Sequence, residues 1–226
     1  CEDMCENLQI PTGRILFVEN FESYDIGFAD FETGVKKISI AAEATSSHCC
    51  PTPMVFDTSA PTGRDTHLGT PSTKYGGTGI GSGGHRGSYR NRIPRGKCVI
   101  ASEDGDSTDP DDYESGVRMS FEFCVPVKLH YITIVSPGTG ASVTRYDAAG
   151  EDYSPVKLPS VGQNGVLNKY FSTHSYPLLT SKFDLFLPRG GCVSEIGYEV
   201  PLDLLWSVCS LPGAPPSVPD DSFEIV

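Results

Sequence analysis

Seven carboxylates lie at positions 103–114, and no basic residue interrupts them. At pH 7 these charges repel one another, so a folded loop needs something to neutralise them. The two candidate agents are a hard cation, with calcium the first choice for oxygen ligands, and basic side chains from elsewhere in the chain. A solvated loop is the remaining reading. The acids that we consider as calcium ligands in this loop are Asp104, Asp106, Asp109, Asp111 and Asp112.

The acidic loop does not match an EF-hand. Asp104 and Asp106 begin like one, but Asp109 stands where the invariant glycine is needed and Ser115 where the bidentate glutamate is needed. Calcium requires only about six to eight oxygens at a suitable distance, so a different arrangement could hold it. We therefore expect a bound calcium ion that orders the loop.

Residues 69–97 form a basic, glycine-rich segment with nine glycines and no acid. It contains a Gly-x-Gly-x-x-Gly pattern, but no helix can be expected after it, so a dinucleotide site is dismissed. The segment is too long for an ordinary connection and is either a mobile lobe or a functional loop. The candidates for binding a polyanion, or for pairing with the acidic loop within or between molecules, are Arg86, Arg90, Arg92 and Arg95.

The cysteines predict an oxidising compartment. Their number is even, they are spread through the chain, and no Cys-x-x-Cys zinc pattern occurs, so we expect four disulfides of undetermined pairing in a secreted protein or an extracellular domain. No signal peptide or transmembrane run is present, so membrane attachment would need an anchor outside this chain. The eight residues are Cys1, Cys5, Cys49, Cys50, Cys98, Cys124, Cys192 and Cys209.

The pattern of short apolar runs separated by turns predicts an all-β protein, an antiparallel β-sandwich of jelly-roll type. Alternation is clearest at 117–127, and a further strand is expected at 131–135. We divide the chain into a disulfide-tethered N-terminal segment (1–13), one sandwich domain (14–209) that carries the basic insertion at 69–97, and a proline-rich acidic tail (210–226).

Composition and motifs exclude several functions. The net charge of −12 argues against nucleic acid as a partner. No Gly-x-Ser-x-Gly or His-Glu-x-x-His motif occurs, and the five histidines are widely separated, so we predict no enzyme activity. Three loop tyrosines, Tyr75, Tyr89 and Tyr113, are candidates for a platform on which a sugar could stack.

Two stretches resemble a group of secreted and surface proteins of bacteria and algae: VFDTSAPTGRDTHLGTP at 55–71 and VIASEDGDSTDPDD at 99–112. The resemblance extends over roughly residues 14–200, and the overall shape is similar to the galactose-binding-type jelly roll of carbohydrate-binding modules. It implies a structural calcium between the first and last strands. The candidate ligands are then Glu19 or Glu22 with Glu195 or Glu199, and the matched acids Asp57 and Asp65 beside those of the acidic loop. The cysteines and the basic insertion depart from the compact bacterial versions and suggest a diatom-like surface or biomineral protein.

Together these observations predict a non-catalytic extracellular binding or adhesion module with calcium-dependent acidic loops, whose partner is a glycan or an extracellular matrix or mineral surface. One alternative is a structural cell-wall or silica-matrix protein that self-associates through its acidic and basic segments, depending on pH and salt. A second alternative is a hydrolase or lyase that acts on polysaccharide.

Overall fold

A computed structural model of the chain describes residues 16–31, 38–46, 50–171, 179–201 and 204. The predicted N-terminal segment (1–13) and acidic tail (210–226) lie outside these residues. So do four of the cysteines, Cys1, Cys5, Cys49 and Cys209. The expected ends of the sandwich domain, 14 and 209, also fall there and stay predictions.

Ten strands lie within the described residues, and the ladders between them are antiparallel. Four single-turn 3₁₀ helices, at Thr66–Leu68, Thr73–Tyr75, Gly83–His85 and Gly87–Tyr89, separate β3 from β4. The strands are β1 (Leu16–Glu19), β2 (Ile38–Ala44), β3 (Thr52–Asp57), β4 (Lys97–Ser102), β5 (Val117–Val135), β6 (Ser142–Tyr146), β7 (Val156–Lys157), β8 (Val166–Tyr170), β9 (Leu179–Leu187) and β10 (Cys192–Glu199).

Strand β5 takes part in both layers of the sandwich. Its first half lies between β2 and β9, where Phe121 is opposite Ile40 on one side and Phe183 on the other. Its second half lies between β10 and β8, where Val135 is opposite both Cys192 and Val166. One layer is thus β2-β5-β9-β6-β7, and the other is β8-β5-β10 with β4-β3 and β1 beyond β10.

The sequence predicted two separate strands here, and the structure has one continuous strand. Its register against β9 shifts between Glu122 and Val127, and Pro126 lies in that interval. Proline cannot donate a ladder hydrogen bond and is tolerated in a sheet at such irregularities. The proline therefore marks the point where the strand passes from one layer to the other, and not the end of a strand.

The core follows from the alternation in β5. Val117, Met119 and Phe121 are fully buried, whereas Arg118 and Glu122 on the other face are exposed. The ring of Phe121 stacks on Phe183 of the neighbouring strand with centroids 4.6 Å apart. Burying each such ring contributes about 1.5–3 kcal/mol. The predicted fold class, an all-β antiparallel sandwich, is confirmed.

The glycine-rich segment is folded against a neighbouring loop. Residues 69–97 include three of the 3₁₀ turns, and the amide of Asn164 donates hydrogen bonds to the carbonyls of Gly69 (2.6 Å) and His67 (3.1 Å). A Cβ on Gly83 would overlap the carbonyl of Val161, and one on Gly84 would overlap the Asn164 side chain. The glycines therefore permit close backbone packing, a use of glycine that composition alone does not distinguish from mobility.

The described cysteines fall into two kinds. Cys50 and Cys124 are each disulfide-bonded. Cys98 on β4 and Cys192 on β10 are free thiols, both fully buried in one small apolar cluster with Met54 and Phe56. Burial raises the pKa of the Cys98 thiol, and its hydrogen bond to Cys192 raises it further. This differs from the expectation that all eight cysteines are paired.

We expect alkylation to separate these cysteines. In the native protein, Cys98 and Cys192 should resist a thiol reagent because both are buried, and burial also raises the pKa of the Cys98 thiol. In denaturant without reductant both should be labelled, whereas Cys50 and Cys124 should need reduction first. Peptide mapping by mass spectrometry reads out each site. A non-reduced digest that contains a peptide linking Cys98 to Cys192 would contradict the free-thiol assignment.

Among the described residues, none of the helices is long and apolar enough to span a bilayer.

Candidate functional site

Two aspartates and a histidine meet in the interior, near the ends of β4 and β10. Asp65 immediately precedes the 3₁₀ turn that carries His67, and Asp112 ends the acidic loop, where it forms a bridge to Ser102. The exposed fractions of Asp65, His67 and Asp112 are 4%, 8% and 3%. One potential ligand atom from each lies within 4.8 Å of the others. We call these three residues the Asp–His–Asp group.

Backbone groups fix the two carboxylates. Asp65 Oδ2 accepts a hydrogen bond from the Asp112 amide (2.7 Å), and Asp112 Oδ2 accepts one from the Gly191 amide (2.8 Å). His67 Nδ1 lies 3.9 Å from Asp65 Oδ1, and Nε2 lies 3.4 Å from Asp112 Oδ2. Among the described residues, neither His67 Nε2 nor Asp112 Oδ1 makes a hydrogen bond of suitable geometry, although both atoms are buried. Buried polar atoms without a partner are rare in native proteins, because each forfeits its hydration.

Burial dominates the electrostatics of the group. Burial raises the pKa of Asp65 to about 6. It also raises the pKa of Asp112, although the nearby His67 acts in the opposite direction. Burial lowers the pKa of His67, but the carboxylates of Asp112 and Asp65 outweigh it, so the net direction is upward. The two buried carboxylates therefore need positive charge close by, supplied either by protons or by a cation.

A polar cleft opens beside this group. Its volume is about 390 Å³, and its wall includes His67, Glu114, Gln163 and Arg189. The rest of the wall consists of small residues, Ser136, Pro137, Gly138, Thr139, Ser160 and Gly162, with no aromatic ring among them. The group can therefore be reached from solvent on the His67 side, although its three side chains are almost fully buried.

A second surface lies on the outer face of the β8-β5-β10-β1 layer. Tyr170, Tyr131, Gly197 and Val18 are directly opposite one another across the four strands, so they share one face. Tyr170 is 67% exposed and Val18 46% exposed. The next row on the same face is polar: Asn168, Thr133 and Glu195. We call these two rows the tyrosine face.

Contacts beneath the rings hold this face in shape. Tyr131 lies so close over Gly197 that a Cβ there would overlap its ring. Its hydroxyl donates to Glu195 Oε1 (2.7 Å), and its ring centroid is 5.8 Å from that of Tyr170. Glu195 Oε2 also lies 3.8 Å from Arg95 Nη1. Glu195 and Arg95 line a neighbouring cleft of about 430 Å³ together with Asn20 and Glu22.

Two of the nine predicted calcium ligands, Asp65 and Asp112, meet in the Asp–His–Asp group. Asp104 and Asp106 instead accept hydrogen bonds within their own loop, from the Asp106 amide and from Thr108. Among the described residues, the Asp–His–Asp group is the one set of three potential ligands close enough to share an ion. Calcium binding by the acidic loop stays a prediction.

The other predicted ligands are scattered. Asp57 Oδ1 accepts hydrogen bonds from the amide and hydroxyl of Ser59. Asp111 lies next to Gly63, and it interacts with Asp109 and the other acids of the loop. Glu19 accepts from the Phe21 amide (3.0 Å) on β1, and Glu195 belongs to the tyrosine face. Of the alternatives considered with them, Glu22 accepts from the Lys97 amide and Glu199 pairs with Lys128 (2.9 Å).

The basic segment does not neutralise the acidic loop in the described ion pairs. Arg86, Arg90 and Arg92 are exposed, and Arg92 lies 5.5 Å from the ring centroid of Tyr75. Arg95 is partly buried against Glu195. A polyanion or assembly role for these arginines stays a prediction.

The aromatic surface differs from the predicted tyrosine platform. Tyr113 is buried in the core at 4% exposure, and Tyr89 packs against the same core. The aromatic pair at the surface is the exposed Tyr170 and the half-buried Tyr131, which are 39 residues apart and become neighbours only through the β5-β8 register. For the Asp–His–Asp group, one signal was available in the sequence: His67 follows Asp65 by two residues.

No family model and no curated protein matches the chain. Solved structures with some likeness include discoidin II from Dictyostelium discoideum (7% identity, TM-score 0.36; 85% of this chain and 60% of that chain). Another is the fucose-binding module SpX-3 from Streptococcus pneumoniae (12% identity, TM-score 0.27; 39% of this chain and 67% of that chain). A third is the enzymatically active domain of a bacteriophage CBA120 tailspike protein (11% identity, TM-score 0.31; 80% of this chain and 22% of that chain). Likeness at this level carries no argument about function.

Replacing Glu195 with glutamine tests the hydrogen bond between Tyr131 and Glu195 on the tyrosine face. Burial raises the pKa of Tyr131 to about 12, and the hydrogen bond to the charged Glu195 carboxylate adds to the rise. Glu195→Gln removes that charge, so the pKa of Tyr131 should fall toward its ordinary value of about 10. Titration followed by NMR of labelled tyrosines, with Tyr131→Phe to assign the signal, measures the change. An unchanged Tyr131 titration in Glu195→Gln would show that the contact does not form in solution.

Proposed function

We propose that this chain is a non-catalytic extracellular binding module that binds a glycan on the tyrosine face. The observation that carries the proposal is the pair of adjacent rows on that face, one aromatic and apolar, the other polar. A pyranose ring has the matching division, since its C–H groups are apolar and its hydroxyls project around the rim. Nucleic acid is a poor candidate, because a net charge of −12 would repel it.

Tyr170 and Tyr131 supply the stacking surface. Tyrosine offers a large rigid ring at a small entropy cost, with a polar hydroxyl at its tip. The Tyr170 ring is exposed, and the two rings are inclined at 48° to each other, so together they form a shallow angle into which a sugar could settle.

The polar row and Arg95 supply hydrogen-bonding groups beside the rings. The Glu195 carboxylate accepts and the Asn168 amide both donates and accepts, while the planar guanidinium of Arg95 presents several donors. Arg95 Nε is buried and has no partner among the described residues, and the cleft that Arg95 lines with Asn20 extends from the Glu195 end of the row. A few placed polar groups next to an aromatic surface are typical of small-ligand sites.

The face needs little reorganisation to bind. The Tyr131 ring is held over Gly197 and its hydroxyl is tied to Glu195, so its ordering is complete before a ligand arrives. Preorganised contacts leave more of the interaction free energy for affinity. The disulfide-bonded Cys50 and Cys124 support the extracellular part of the proposal, because such bonds persist in oxidising compartments.

Tyr170→Ala is expected to weaken glycan binding without changing the fold. Removing one stacked ring removes about 1 kcal/mol of binding free energy, which raises Kd about fivefold. Because Tyr170 is two-thirds exposed, the melting temperature should stay close to that of the wild type. The measurement is binding to a panel of immobilised neutral, acidic and amino-sugar oligosaccharides, followed by calorimetry on the best of them.

Ile80→Ala is the matched control, since Ile80 is 56% exposed and lies in the glycine-rich segment. It should bind the same sugar with unchanged Kd. Absence of binding to every oligosaccharide of the panel, or equal binding by Tyr170→Ala and wild type, would refute the proposal. Release of reducing ends from the bound sugar would instead favour the hydrolase reading.

A further inference from the structure

We infer that the Asp–His–Asp group is a binding site for a divalent transition-metal ion, with Zn²⁺ as its best probe. The inference goes beyond the proposed function: the group and the tyrosine face have no residue in common. It also differs from calcium held by the acidic loop, because the ligands are buried and one of them is a nitrogen.

The first support is convergence. Asp65, His67 and Asp112 place one ligand atom each within 4.8 Å of one another, in the interior, from two segments that are 45 residues apart in the sequence. Two carboxylates at such a place repel each other and lose their hydration. A cation between them compensates both effects at once.

The second support is the presence of buried polar atoms that lack a partner. Asp112 Oδ1 and His67 Nε2 make no hydrogen bond of suitable geometry among the described residues; the Asp112 side chain is fully buried and the His67 side chain is 11% exposed. A metal ion satisfies such atoms through their lone pairs.

The donor set selects the class of metal. Calcium takes about six to eight oxygens, and two carboxylates and an imidazole do not supply them. Imidazole with carboxylate suits Zn²⁺ and its first-row neighbours. Three protein ligands with a further position open to solvent is the arrangement of accessible zinc sites. Here His67 also lines the cleft of about 390 Å³, so that position can be reached by water or a ligand oxygen.

The test compares metals on chelator-treated protein, without reductant, by thermal melting and calorimetry. Zn²⁺ at about 100 times its Kd should raise the melting temperature by a few degrees and bind with a stoichiometry of one, whereas Ca²⁺ should not. His67→Gln and Asp112→Asn should each weaken Zn²⁺ binding at least tenfold. Asp104→Asn, in the exposed acidic loop, is the matched control and should bind Zn²⁺ as the wild type does.

Co²⁺ provides a readout that survives a loss of stability in the variants. Bound to the wild type it should give visible d–d bands without the charge-transfer band of a cobalt–thiolate bond, which excludes Cys98 and Cys192 as the ligands. Three results would overturn the inference: no binding of Zn²⁺ or Co²⁺, unchanged Zn²⁺ affinity in His67→Gln, or stabilisation by Ca²⁺ alone that Asp104→Asn abolishes. The last would place the cation in the acidic loop.

Discussion

The passage of β5 from one layer to the other is the constraint on which the rest of the structure depends. Its first half closes the core through Phe121, and its second half carries Tyr131 to the outer face. The same half pairs with β10, whose start lies next to the Gly191 amide that holds Asp112. A single strand therefore sets the position of both candidate surfaces, and a slip of one residue would turn Tyr131 into the core.

Much of this architecture follows from the sequence, because alternation is a local property. The run that begins at Val117 shows which residues face the core, and burial confirms it. Sequence reasoning ended one strand at Val127, just after Pro126, and began the next at Tyr131. Only the pairing shows that the backbone continues: β9 pairs with β5 on both sides of Pro126, as far as Lys128, and β10 pairs with it from Lys128 onward. Long-range pairing decides the matter, and no local pattern contains it.

The candidate sites were harder to predict for the same reason. Asp65 and Asp112 were among nine candidate ligands that were ranked by how closely acids crowd in the sequence. A ranking by crowding favours exposed loops, where carboxylates accept hydrogen bonds from nearby backbone and hydroxyl groups. Asp106, for example, accepts from the Thr108 amide and hydroxyl and is fully exposed. His67 was not among the candidates, because crowding ranks acids alone and gives no weight to a histidine two residues after Asp65. Tyr131 and Tyr170 meet only through a strand register.

The acidity of the chain thus has two different physical consequences. In the acidic loop, turn amides and the Thr108 hydroxyl donate hydrogen bonds to Asp104 and Asp106, and residues 103–109 are exposed, so solvent ions can screen their charges. In the Asp–His–Asp group only two carboxylates are present, but they are shielded from water and separated from solvent counterions. The free energy of an uncompensated charge rises steeply with burial. The need for compensating positive charge is therefore greater at the two buried carboxylates than at the more numerous exposed acids of the loop.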